Sequence, residues 1–180
     1  MTEEVIAFWD LGHELFKSTP ESFPVPFVGG DVFDPSILEP VAPYKETPQA
    51  PIPALSSLTS LNPLRGHLSV IHASSFFHLF SETRQLQLAR ALAGLLSPEP
   101  GSVMFGSQIG SPVKGLKQSS NGGRMFCHSP ESWRELWVGP VFKQDNVEVE
   151  TLLKPIDRNY FGMLVETPEV AVLVWSVTRV

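Results

Sequence analysis

Hydrophobic positions along the chain fall into a few dense blocks, separated by stretches rich in proline or glycine. The first block is Val5, Ile6, Phe8, Trp9, Leu11, Leu15 and Phe16, apolar nearly all round a helix, so this helix expects cover on more than one side. Thr2 is placed to cap it, Glu3 and Glu4 face the positive end of the helix dipole, and Pro20 ends it. Phe27 and Val28 then read as a short strand running into Gly29-Gly30-Asp31-Val32-Phe33-Asp34. Residues 35–54 read as an irregular proline-rich insertion. Leu55, Leu58 and Leu61 recur every third position and predict one or two helical turns stopped by Pro63.

The second half is more regular. Leu68 to Ala73 reads as a buried parallel strand. Ser81 is a helix cap with Glu82 in the first turn, and Leu86, Ala89, Leu92, Ala93 and Leu96 form the inner face of the helix that follows. Pro98 and Gly101 turn the chain into a short strand over 102–105. Residues 106–124 are rich in Gly and Ser and read as a mobile loop. Ser129-Pro130-Glu131 is a helix start, and Trp133, Leu136 and Trp137 follow at helical spacing as core positions, with Trp175. Val147-Glu148-Val149-Glu150 alternates as an edge strand does, Val170 to Trp175 is continuously apolar, and the two read as an antiparallel pair. The order of elements gives an α/β open sheet ending in a hairpin.

Composition narrows this picture. The chain has 180 residues, 42% hydrophobic and 18% charged, enough for a single domain with one core. A net charge of −6 argues against broad binding to nucleic acid or an acidic membrane. Cys127 is the only cysteine, which excludes an intrachain disulfide and fits a cytoplasmic setting. No apolar stretch is long enough to span a membrane, and the acidic start is unlike a signal or transit peptide.

Chemistry-bearing residues are few. His67, His72 and His78 do not aim at one point, and no cysteine or acid pair completes a ligand set, so no metal is expected. Cys127 and His128 are adjacent and cannot easily face each other, so Cys127 reads as a small buried thiol. Gly106-Ser-Gln-Ile-Gly110 does not centre a serine between its glycines as a nucleophile elbow does. Asp31 reads as an acid at a strand end or as one that closes its own turn, and His78 as a general base or a packing residue.

Four runs together carry a resemblance: His67-Leu-Ser-Val-Ile-His-Ala-Ser-Ser-Phe-Phe-His-Leu-Phe80, Leu95-Leu-Ser-Pro-Glu-Pro-Gly-Ser-Val103, Phe126-Cys-His-Ser-Pro-Glu-Ser-Trp133 and Leu173-Val-Trp-Ser-Val-Thr-Arg179. In order and spacing the chain resembles class I S-adenosylmethionine-dependent methyltransferases, in particular fungal ones of meroterpenoid and related secondary-metabolite pathways. The resemblance implies a Rossmann-like methyltransferase sheet over residues 1–180, mostly parallel with a C-terminal antiparallel hairpin. It implies methyl transfer from S-adenosylmethionine to a carboxyl or hydroxyl oxygen of a small-molecule acceptor. By family position, Asp31 meets the adenine amino group and Val32 and Phe33 flank the ring. Ala73, Ser74 and Ser75 lie near the methionine end and the acceptor, His78 is a candidate base, and residues 106–124 are a candidate lid. Glu3 falls near the place of the ribose-binding acid.

The chain departs from the family pattern at its start, where no first strand and no Gly-x-Gly turn precede these motifs. It is therefore expected to be an N-terminally truncated domain with exposed strand edges, open to a complementing chain or to a homo-oligomer. The alternative implied is a catalytically inactive protein, acting as a partner subunit or standing as an incomplete gene product.

Overall fold

The computed structural model describes residues 2–118, 122–156 and 170–180, with the side chains of residues 1–6 outside the described residues. Its centre is a four-stranded sheet built from β1 (Val70–His72), β2 (Val103–Gly110), β5 (Val147–Lys154) and β6 (Ala171–Arg179), in the order β1-β2-β6-β5. The first pairing, β1 with β2, is parallel, whereas β2–β6 and β6–β5 are antiparallel. The predicted late hairpin is present, but the sheet is parallel only at its start. Two further strands, β3 (Gly115–Gln118) and β4 (Arg124–Cys127), form a separate antiparallel hairpin.

Side chains on the sheet alternate between the two faces, as the pleat requires. Ile71, Met104, Leu173, Trp175 and Val177 point to one face and are buried beneath α3 (Glu82–Leu95) and α4 (Pro130–Trp137). Phe77 packs edge-on against Trp133, Trp137 and Trp175 with ring centroids 5.0–6.0 Å apart, a geometry favoured by aromatic quadrupoles. The opposite face carries no helix among the described residues, and there Val70, Phe105 and Leu152 are 58%, 41% and 55% exposed. A shallow groove of about 430 Å³ crosses this open face between Phe105, Leu152, Val174 and Ser176. No helix among the described residues is long and apolar enough to cross a membrane.

Several elements differ from the sequence expectation, each for a local reason. The first helix, α1 (Thr2–Phe16), already includes Thr2 and ends at Phe16, before Pro20, with Lys17 just beyond it in a left-handed conformation at φ 52°. Phe27-Val28 is not a strand: Pro24 and Pro26 lack the amide donors a ladder needs, and Phe27 stacks on Trp9 at 4.7 Å instead. Residues 35–54 begin with a helical turn, α2 (Pro35–Leu38), that buries Leu38, and are otherwise irregular. Pro63 lies inside the second of two 3-10 turns, Leu55–Ser57 and Asn62–Leu64, rather than closing a helix.

The predicted buried strand over 68–73 narrows to β1, an edge strand with Val70 and His72 exposed and only Ile71 buried. Ser81 is the N-cap of α3 but makes no capping hydrogen bond through its side chain. The predicted strand at 102–105 continues to Gly110, so most of the glycine-rich segment expected as a loop is strand: the end of β2, then β3 and the start of β4.

Candidate functional site

The turn after β1 is shaped by its close approach to β2. The Ala73 N–H donates to the Phe105 carbonyl at 3.0 Å and the Ser75 N–H to the Ser107 carbonyl at 2.7 Å. Gly106 makes this possible, since a Cβ there would lie 2.1 Å from the Ala73 carbonyl oxygen. Ser75 adopts φ 53°, a left-handed conformation uncommon outside glycine. Ser74, exposed at the top of the turn, lies 2.8 Å from His72 Nε2 through its Oγ, which also accepts the Ser107 N–H at 3.1 Å. The His72 ring lies 5.1 Å from that of Phe105, its register partner on the open face.

The second candidate segment is also a turn, although no strand precedes it. Asp31 Oδ1 accepts the Phe33 N–H at 2.9 Å, so the exposed acid closes its own turn with one oxygen. Asp34 caps α2 by accepting the Ser36 N–H at 2.8 Å, and hydrogen bonds from Ser36 hold its carboxyl below the usual carboxylate range. Val32 and Phe33 are half-buried against the core. The Phe33 ring meets Phe80 at 4.8 Å, and the Arg84 guanidinium sits 4.6 Å above the Phe33 centroid.

An aromatic ledge joins the two turns. Phe80 contacts Phe33 on one side and, at 5.3 Å, Phe76 on the other, and Phe76 directly follows Ser75. Gln85, fully buried, fixes the ledge by donating through Nε2 to the carbonyls of Phe80 and Phe126, each at 3.0 Å. Asp31 and Ser74 are thus exposed polar groups at either end of a short apolar strip.

Phe77 is wholly buried. His78 sits in a 3-10 turn, Phe77–Leu79, with Nδ1 buried and without a hydrogen-bond partner, and burial pulls its pKa below the ordinary value, which favours the neutral imidazole. Glu3 belongs to the first turn of α1, and its side chain lies outside the described residues. Part of the predicted lid, residues 119–121, also lies outside them. Among the described residues no group of three His, Cys, Asp or Glu is placed to hold a metal ion.

Sequence reasoning missed His72, Ser107, Phe80 and Arg84. Period-two alternation around Ile71 was the available signal for His72, because it sets positions 70 and 72 on the face away from the core.

A mixed α/β sheet with an antiparallel C-terminal pair and exposed polar turns at a strand end frames the comparison with known proteins. The chain resembles fungal methyltransferases, O-methyltransferases among them. It is 30% identical over 156 residues to O-methyltransferase phiE of a fungal species, an overlap that covers 86% of this chain and 44% of that protein. It is 33% identical over 92 residues to the asnovolin E/chermesin D methyltransferase nvfJ of Aspergillus novofumigatus, covering 51% of this chain and 31% of that one. Methyltransferase adrK of Penicillium rubens is 25% identical over 154 residues, 81% of this chain and 47% of its own. The chain thus spans less than half the length of these relatives. No protein-family model matches it.

Proposed function

We propose that this chain serves S-adenosylmethionine-dependent methyl transfer to a carboxyl or hydroxyl oxygen of a small natural product in fungal secondary metabolism, within a Rossmann-like methyltransferase sheet. The observation that carries this reading is the 30% identity over 156 residues to a fungal O-methyltransferase. The donor supplies an activated methyl group on a sulfonium, and the protein's task is to align it with the acceptor oxygen. Asp31 Oδ2 is the group for the adenine amine, Val32 and Phe33 flank the ring, and Glu3 is the candidate for the ribose. Ala73, Ser74 and Ser75 take the methionine end. His78, held neutral by its burial, is a candidate base for the acceptor. The exposure of Asp31, Ser74 and Ser75 at the two ends of the Phe33–Phe80–Phe76 ledge supports a bound molecule with a flat apolar centre and polar ends. A single buried free thiol fits work in the cytoplasm.

Calorimetric titration of the purified chain with S-adenosylhomocysteine tests the reading. Dissociation constants below ~100 μM in the wild type and about tenfold weaker binding in Asp31→Ala are expected, and absence of heat contradicts it.

A second reading is favoured by the uncovered sheet face and by the outer edge of β1, which carries no strand among the described residues. Parallel strands are ordinarily covered on both faces, and a bare edge invites pairing. On this reading the chain is inactive by itself and is completed by further strands and helices, from a longer polypeptide, a complementing chain or a second copy. Sedimentation equilibrium separates the two: a monomer with cofactor affinity supports the first, and an oligomer or a monomer without affinity supports the second.

A further inference from the structure

We propose that Ser74 and His72, rather than His78 with its buried Nδ1, form a relay that removes the proton of the acceptor oxygen, Ser74 touching the acceptor and His72 taking the proton through it. This rests on the methyl-transfer reading above. Whatever lies at the methionine end of the donor also lies beside the methyl group, and therefore beside the acceptor oxygen that must approach it in line. The turn at 73–75 is held to β2 by the Ala73 and Ser75 amides and by Gly106, and the left-handed Ser75 lifts Ser74 clear of the strand end. At its crest, Ser74 Oγ receives the Ser107 N–H at 3.1 Å and lies 2.8 Å from His72 Nε2. With one lone pair on the amide, the serine proton points at the imidazole and the second lone pair is left for an incoming donor. The Ser107 hydroxyl, at 3.4 Å, is the weak neighbour that the acceptor displaces.

The balance is as follows. The acceptor O–H bond breaks and its proton joins Ser74 Oγ while the serine proton passes to His72 Nε2. The acceptor oxygen pair forms the O–CH3 bond as the donor C–S bond breaks, and that bonding pair stays on sulfur, which becomes a neutral thioether. The resulting imidazolium returns its proton to water. A carbonyl, a thioether or an already ionised carboxylate has no proton for this relay, so the geometry selects phenols and alcohols, and the rate loss in His72→Ala and Ser74→Ala is expected with them and not with carboxylic acids.

The test measures methyl transfer from S-adenosylmethionine to a panel of phenols and carboxylic acids by the intact wild-type chain and by His72→Ala, Ser74→Ala and Ser74→Thr. Calorimetry with S-adenosylhomocysteine is run on each. The relay predicts kcat lower by ~100-fold or more in His72→Ala and Ser74→Ala, with KM and cofactor-product affinity unchanged in His72→Ala. Added imidazole raises the rate of His72→Ala but not that of Ser74→Ala, and Ser74→Thr recovers part of the loss. A His72→Ala variant that keeps its kcat, or loses cofactor-product affinity in step with rate, overturns the relay. So does a wild-type chain that binds S-adenosylhomocysteine yet transfers no methyl group. Failure of the wild type to bind S-adenosylhomocysteine is a different result, which contradicts the methyl-transfer reading and removes the relay with it.

Discussion

Gly106 is where the geometry of the candidate site is most tightly constrained. Its missing side chain lets the Ala73 carbonyl lie against β2, and there is no flexible neighbour to yield to a methyl group. Gly106→Ala is expected to cost about 3 kcal/mol or more, read as a lower urea midpoint, and to disturb the 73–75 turn first. His128 gives a pH-dependent counterpart. It is buried, with Nδ1 2.9 Å from Ser132 Oγ, and desolvation first, then the Lys114 charge, lowers its pKa to about 4 from 6.5. As pH falls below 6.5 the unfolded chain takes up this proton while the folded chain does not. The stabilisation present above that pH is therefore lost progressively down to about 4, by up to about 3 kcal/mol. Urea denaturation at pH 7.5 and 5 should show this loss in the wild type and a smaller one in His128→Asn. Cys127 is wholly buried and its thiol is pushed up to about 11 by desolvation, so it should resist iodoacetamide at pH 8 until the protein is unfolded. Its burial was legible from the sequence. The His72–Ser74 contact was not, because it depends on a three-residue edge strand that the apolar run over 68–73 disguised as a buried one.

Among the helices, those with strong end signals were readable in advance. Ser129-Pro130-Glu131 opens α4 as expected: Ser129 Oγ accepts the Ser132 N–H at 3.1 Å, and Ser132 Oγ accepts the Ser129 N–H at 2.9 Å. Ser129→Ala should cost ~1 kcal/mol and lower the melting temperature by a few degrees, with little change in the far-ultraviolet spectrum. The strands were less readable. Glycine and serine around β3 and β4 lower intrinsic strand preference, and pairing between them supplies what propensity does not. Phe27 failed in the other direction, since an apolar pair flanked by prolines serves equally as an anchor for a helix. Here it receives Trp9, while Phe8, Leu11, Leu15 and Phe16 of α1 stay 56–79% exposed.

Among the described residues, the sheet has one face covered by helices and one without. The aromatic core under α3 and α4 holds the sheet together, and among the described residues the opposite face and the outer edge of β1 are uncovered. The chain's overlaps with relatives cover only 44% and 31% of their lengths, which agrees with that asymmetry. The mixed α/β character and the closing antiparallel pair were legible because they rest on long alternating or continuous apolar runs, whereas a mostly parallel sheet was expected and only β1–β2 is parallel. That residues 31–33 and 73–75 share one crevice was expected from family position, whereas the Phe33–Phe80–Phe76 ring contacts between these segments, more than 40 residues apart in the chain, were not read. That adjacency is the claim from which the proposed chemistry follows. An amide-resolved NMR titration with S-adenosylhomocysteine examines it directly. The account predicts that the signals of residues 31–33 and 73–75 move together along one binding curve. Movement in one segment only, or none in either, would contradict it.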